Sequence, residues 1–448
     1  MRKSFTGLFT KNWQFVSVLI LGLLVRLLLT RYGNFGDVAL FAEWGKRFFD
    51  LSRLSYYYDR NWYYSYPDYP PASPLLYAGL YWLYERRYLL AEIHNAIKII
   101  PANFIIYFGK PVPNDPLQFG YGYYLLLKLP PIFADLGISV IIYRLIFRLT
   151  RSIKKSFAGM CFYLFNPLTV FLSAVWGQTD QLVALIGIIS FVALHSNKAW
   201  LSLPLMFISL FIKPNWILIL PLYLFYIYIL KPKVGNLMSG LLISLVLFLL
   251  LVTPFSESDV LGFTKSVLLG SILPVAKGTP KASVSAINFY SIFFSVDKTP
   301  AAKEILLLPI SYWGYTFYGF LNILSFKYLT NLRKEKLLEG IIISIFIIGL
   351  GSFLFLTNML ERYFFAAFPS LVILLAIRPK LTKLLLILNL ILLANLVWAF
   401  FRRSVGVINH LFSDYNYLLV RILAIVATIA FIRVTRYNLK RGEARISG

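Results

Sequence analysis

The chain has 448 residues, 59% of them apolar and 14% charged, with a mean hydropathy of +0.71. That composition excludes a water-soluble globular domain and marks lipid as the main solvent. The formal charge of +25 raises nucleic acid as a partner, but no long basic face stands apart from the apolar runs. The basic residues therefore read as cytoplasmic edges and contacts to anionic headgroups. A single cysteine, Cys161, allows neither an intramolecular disulfide nor a cysteine-built zinc site, and reads as an inert core residue.

The N-terminal basic flank, Met1-Arg-Lys-Ser, leads into an apolar run over 13–31. It is too long for a signal peptide and lacks a small-residue cleavage site, so it reads as a retained first span. Arg26 interrupts this run near its outer end, where a long side chain either snorkels to the headgroups or turns inward to an anion. Snorkelling is the expectation.

Residues 32–120 form a long loop that the parity of the later spans keeps outside. In it Val38, Phe41, Gly45, Phe48 and Phe49 recur at helical spacing opposite Glu43, Lys46, Arg47 and Asp50, the pattern of a helix lying in the membrane interface. Residues 72–84 are too few to span and too apolar to be solvated, which predicts a second such helix. Leu89, Leu90, Ile93 and Ile97 predict a third, ending at Pro101. The tyrosines from Tyr56 to Tyr69, with Trp62, suit either sugar stacking or an interfacial aromatic belt.

Further apolar runs of spanning length lie near 121–149, 156–173, 181–196, 199–213, 215–230, 236–254, 304–327, 337–357, 363–378, 381–400 and 417–434. With the first they predict an all-α polytopic membrane protein of about twelve transmembrane helices, one transmembrane domain over 1–448. A second large outer loop, 255–303, carries Lys265, Lys277, Lys281 and Asn288. Basic clusters follow the even spans: Arg148 to Lys155, Lys231 and Lys233, Arg333 to Lys336, Arg378 and Lys380, and the tail from Arg433 to Arg445. By the positive-inside rule both termini are then cytoplasmic, in a cell membrane or, in a eukaryote, that of the endoplasmic reticulum.

The same parity places six polar groups on the outer side: Asp37, Tyr69-Pro-Pro71, Lys128 to Asp135, Trp176-Gly-Gln-Thr-Asp180, Lys213-Pro-Asn-Trp216 and Glu361-Arg-Tyr363. Carboxylates there can activate a hydroxyl and cations can hold a phosphate. Asp37 is the candidate general base and Arg362, whose planar fork suits phosphate, the candidate charge stabiliser. Tyr69, Lys128, Asp135, Trp176, Gln178, Asp180, Lys213, Glu361 and Tyr363 are candidate substrate contacts. Some have plainer readings. Lys128 and Asp135, seven residues apart on one helical face, could simply pair. Asp180 could be an exposed residue in an ordinary turn, and Lys213 a headgroup anchor. His94, His195 and His410 lack metal-ligand spacing and read as surface residues.

These pieces resemble the GT-C glycosyltransferases, the multispanning class that includes dolichyl-phosphate-sugar-dependent glucosyltransferases and mannosyltransferases. The resemblance rests on Gly36-Asp37, Tyr69-Pro70-Pro71, Lys128-Leu-Pro with Ala134-Asp135-Leu136, Asn166-Pro167 leading into Trp176-Gly-Gln-Thr-Asp180, Lys213-Pro214 and Glu361-Arg362-Tyr363, in family order over 26–369. It implies an outward-facing active site, a polyprenyl-phosphate-linked sugar donor with mannose favoured, and Asp37 as the family's acidic residue. The hydroxyl acceptor would belong to a glycan, a lipid or a protein. Leu360 stands where relatives often carry histidine, so any role of that histidine is absent or supplied elsewhere. No cofactor is required, although acidic residues can gather a divalent metal. A multispanning transporter or flippase of lipid-linked saccharides is the competing expectation; the polar residues gathered at one membrane face argue against it.

Overall fold

The computed structural model describes residues 13–256, 258–272 and 280–443. The N-terminal basic flank, Lys277 and Arg445 lie outside them. The protein is all-α: 76% is helical, and among the described residues the two strands are only two residues each. Five helices are long and apolar enough to cross a membrane: Tyr121–Thr150, Val234–Ser256, Lys334–Phe355, Pro379–Phe401 and Gly406–Lys440. The pair Ile153–Leu164 and Pro167–Trp176 makes a sixth if it is one broken span. The protein is thus a polytopic membrane protein on length and composition. Each of the twelve expected runs holds a helix, several too short to pass that test, such as Trp13–Leu29, Asp180–His195 and Ala199–Ile212.

The chain packs as two compact units. Among the described residues the first comprises 13–138, 164–214, 233–256 and 258–272. Its Asp37–Asp50 and Ala72–Glu85 helices pack on each other through aromatic rings, with Phe41 stacked on Tyr77 at 4.7 Å between centroids and Trp44 beside the same ring at 6.2 Å; Tyr69, just before the second helix, lies edge-on to Trp44 at 5.4 Å. Rings of this size supply most of the apolar area that such short helices can bury. The helices Asp180–His195, Ala199–Ile212 and Val234–Ser256 lie side by side in sequence order. Paired serines join the first two: Ser190 Oγ donates to the Ser202 carbonyl at 2.8 Å and Ser202 Oγ returns a bond at 2.7 Å. Small hydroxylated residues let helix backbones approach closely and supply bonds where apolar attraction between helices is weak.

Several expectations for the outer loop change here. Glu43 is buried, because the chain returns over the Asp37–Asp50 helix and gives its carboxylate the Tyr63 and Tyr64 amides at 2.6 and 2.8 Å, while Phe49 faces outward. That helix is covered on more than one side. Tyr56 and Tyr57 are neither a belt nor a stacking platform. They are buried against Phe48, Phe255 and Phe263, and their hydroxyls donate to the carbonyls of Trp44 and Tyr69, both at 2.8 Å. The Tyr88–Ile97 helix forms, and a further helix, Ala102–Gly109, follows it.

Among the described residues the second unit comprises 139–163, 215–232 and 280–443. Leu337–Phe355, apolar on every side, is buried almost throughout, as such a helix must be. Polar anchors fix its neighbours: Arg378 bonds Asn438 Oδ1 at 2.9 Å and the Glu339 carboxylate, and the Asn395 amide donates to Ser285 O at 2.7 Å and accepts from Ile287 N at 2.9 Å. Residues 304–309, expected to begin a span, instead form a small hairpin, and the helix starts at Ile310. The last helix is interrupted at Asp414 to Tyr417, where four residues leave helical geometry.

Candidate functional site

Asp37 opens its helix, after Gly36 in the left-handed region, so its carboxylate sits in the first turn, where the helix dipole favours negative charge. Two side chains from a distant segment meet it: Trp176 Nε1 donates to Oδ2 at 3.2 Å, and Gln178 Nε2 donates to the same oxygen. The segment delivers both because of its backbone. Asn166 caps the Pro167–Val170 turn by accepting from Leu168 N at 3.0 Å, the helix widens to a π turn over Phe171–Trp176, and Gly177 reverses the chain at φ 74°. Wide turns of this kind are frequent at functional sites. A Cβ at Gly177 would also press on the stem of Lys128 and on Val38.

The Gln178 amide extends the cluster, since its Oε1 accepts from Lys213 Nζ at 3.4 Å. Lys213 in turn donates to Asp180 Oδ2 at 2.7 Å and lies over the Tyr69 ring, 5.3 Å from its centroid. Lys213 ends the Ala199–Ile212 helix and Asp180 begins its antiparallel neighbour, so each charge matches the dipole of its own helix end. Both are buried. Lys213 is therefore not a headgroup anchor, and Asp180 is not an exposed turn residue. Gln178 and Asp180 engage two of the three ammonium hydrogens on Lys213, and the Tyr69 ring adds the cation–π contact.

Lys128 and Asp135 do not pair. Seven residues of helix separate them by about 10.5 Å along the axis, and each finds a nearer partner. Lys128 Nζ donates to Thr30 O at 2.9 Å, Tyr32 O at 2.5 Å and Asn34 Oδ1 at 2.7 Å. Its three donors are spent on the loop that leads to Asp37, so it positions that loop. Gly33, at φ 67°, completes the arrangement: a Cβ there would run into the Val175 carbonyl, so the loop lies directly on the π turn that carries Trp176.

Asp135 pairs instead with Arg26, Nε to Oδ2 at 3.0 Å, with both side chains fully buried. The guanidinium also donates to Leu164 O at 2.8 Å, Gly22 O at 3.2 Å and Thr169 Oγ1 at 3.2 Å. The snorkelling expectation for Arg26 is overturned because this inward pocket offers a carboxylate and several further oxygens at once.

Glu361, Arg362 and Tyr363 belong to the second unit, where Arg362 Nη1 donates to Glu361 Oε1 at 2.6 Å. Glu361 and Arg362 are buried and Tyr363 is half-buried. His94 bonds the Ile100 carbonyl through Nδ1 at 2.6 Å, and His410 faces Asp414 on the surface. Among the described residues no three His, Cys, Asp or Glu side chains gather as a metal site.

Asn34, three residues before Asp37, is not among the residues singled out from the sequence. Nor is Asp115, which accepts from Phe119 N at 2.9 Å and Tyr124 Oη at 2.9 Å and fixes the end of the outer loop. Neither stands out by composition or spacing. No protein-family model matches the chain, and no curated protein matches its sequence.

Proposed function

We propose that the protein is an integral membrane glycosyltransferase of the GT-C kind, moving a hexose, mannose in the first instance, from a polyprenyl phosphate to a hydroxyl acceptor. The observation that carries this reading is the Asp37 cluster: a carboxylate in a helix first turn, held by Trp176 and Gln178, with the Lys213 ammonium one hydrogen bond further along. A base and a cation so linked suit transfer from a phosphate leaving group to an oxygen nucleophile.

In the proposed step the acceptor oxygen attacks the anomeric carbon as Asp37 takes its proton. The anomeric C–O bond breaks at the same time, and the polyprenyl phosphate leaves with the electron pair. Attack and departure occur on opposite faces, so the anomeric configuration inverts. Phosphate leaves without prior protonation, and the positive charge of Lys213 stabilises it. Trp176 and Gln178 orient the carboxylate, and the Tyr69 ring beside Lys213 offers a face to the sugar. The site would face the extracytoplasmic side, with both termini in the cytoplasm.

The test is a vesicle assay with the purified protein, a radiolabelled polyprenyl-phosphate hexose and a panel of hydroxyl acceptors. A new glycosidic product of inverted configuration is expected. Movement of the intact lipid-linked sugar across the bilayer, with no product, would assign the protein to the carriers instead.

A further inference from the structure

The three leucines at 306–308 lie where hydropathy alone continues a span, yet the chain there is a hairpin. Strands Glu304–Ile305 and Leu308–Pro309 pair antiparallel, Glu304 with Pro309 and Ile305 with Leu308, which leaves Leu306 and Leu307 as a two-residue turn. Both take left-handed backbone angles, φ 50° and 67°. A turn with two such residues normally uses Asn-Gly or Asp-Gly, because a branched side chain is strained there. These leucines are also 79% and 92% exposed. In water the pair would carry both a strained backbone and two apolar side chains in contact with solvent, and strain of this kind persists where it serves a function.

The root of the hairpin is rigid. Trp313 Nε1 donates to Ile305 O at 3.0 Å, Ile310 N to Lys303 O at 2.9 Å and Ser311 N to Ala301 O at 3.1 Å. Beyond it the apolar surface continues along the Ile310–Thr330 helix through Tyr312 and Tyr315, 59% and 61% exposed, to Phe320 and Ile323. Tyrosine and tryptophan of this kind collect at the boundary between headgroups and acyl chains. Exposed Lys303 directly precedes the first strand, beside the exposed Glu304, and supplies a cation at the hairpin root at the level where lipid phosphates lie.

We infer that the Leu306–Leu307 tip is a membrane-interface anchor that inserts its two side chains among the upper acyl chains. Its depth is limited by its backbone: the amides at the tip of a two-residue turn have no ladder partners, so the peptide groups stay at the level of the headgroups and only the leucine side chains enter hydrocarbon. The partner is the lipid surface itself, and the inference does not depend on the transferase reading.

A nitroxide placed at Leu307→Cys in a Cys161→Ser background, in vesicles of phosphatidylcholine with a minority of phosphatidylglycerol, reads the depth directly. Collisions with oxygen should exceed those with a water-soluble nickel chelate, and Leu306→Cys should give the same order. Either label suffices if the other variant fails to fold. Dominant chelate collisions would place the tip in water and overturn the inference. Exclusion of both agents would place it against protein and overturn it equally. With the label moved to Leu308→Cys, the pair Leu306→Asn and Leu307→Gly, which suits the turn better, should preserve the fold and raise chelate access severalfold. Unchanged access would again refute the anchor.

Discussion

Replacing Arg26 by methionine removes the cation from a carboxylate that has no exposure to solvent, and the cost follows from what is left behind. Asp135 loses a bond of 3.0 Å to a charged donor, and the carbonyls of Leu164 and Gly22 lose theirs at 2.8 and 3.2 Å. Breaking one side of a buried ion pair costs about 3–5 kcal/mol. Asp135→Asn strands the guanidinium among neutral oxygens and should cost somewhat less. Replacing both, Arg26→Met with Asp135→Leu, removes the stranded charge together with its partner and should lie within about 2 kcal/mol of the wild type. The stabilities can be read by unfolding in mixed detergent micelles, followed by tryptophan fluorescence. The expected signature is a double variant more stable than either single one, a coupling of several kcal/mol. Single variants each costing less than about 1 kcal/mol, or effects that simply add, would refute the buried pair.

Three further outcomes follow from the same geometry. Gln178→Leu removes a hydrogen bond to the Asp37 carboxylate and one from Lys213 but keeps the Lys213–Asp180 pair; it should cost about 1.5–3 kcal/mol of stability and, in protein that stays folded, lower kcat by about 10- to 100-fold. A fall in stability with kcat of the folded protein unchanged would make Gln178 a structural residue. Gly33→Ala sets a Cβ against the Val175 carbonyl at φ 67° and should destabilise the loop before Asp37 by about 1–2 kcal/mol or more, seen as faster proteolysis of that loop; unchanged proteolysis would contradict the close contact. Burial pushes the Tyr56 and Tyr57 hydroxyls well above the ordinary tyrosine value, with the neighbouring Asp68 carboxylate adding to the effect at Tyr57. The folded state then keeps protons that the unfolded chain releases near pH 10, so stability should be flat below about pH 10 and fall as the pH rises past it. Tyr56→Phe should flatten that decline, and an unaltered slope would count against it.

The helical runs were legible in the sequence because a chain in lipid must satisfy its backbone internally, and long apolar stretches leave little but a helix. The errors lie where hydropathy says nothing about conformation. Leu306 to Leu308 read as the start of a span but fold as a turn. The Asp37 cluster was partly legible because Trp176-Gly-Gln178 is a compact unit: the glycine reverses the chain, and the residues on either side of it both reach one carboxylate. Arg26, Lys128 and Asp135 were misread for the opposite reason. Their partners lie 94 to 109 residues away in sequence, and no local pattern announces them. Glu43 was set on a polar face because helical spacing assumes a single buried side, whereas the loop through Tyr63 and Tyr64 closes over the other.

The proposed transfer depends on the Asp37 carboxylate taking the acceptor proton. It is tested most directly by measuring kcat for transfer from a radiolabelled polyprenyl-phosphate hexose, with wild-type and Asp37→Asn proteins side by side in vesicles of the same composition. Loss of a general base predicts a fall of about 10²- to 10⁴-fold, with the thermal unfolding midpoint and donor binding preserved. Transfer by Asp37→Asn at a rate within a few-fold of the wild type would contradict the account.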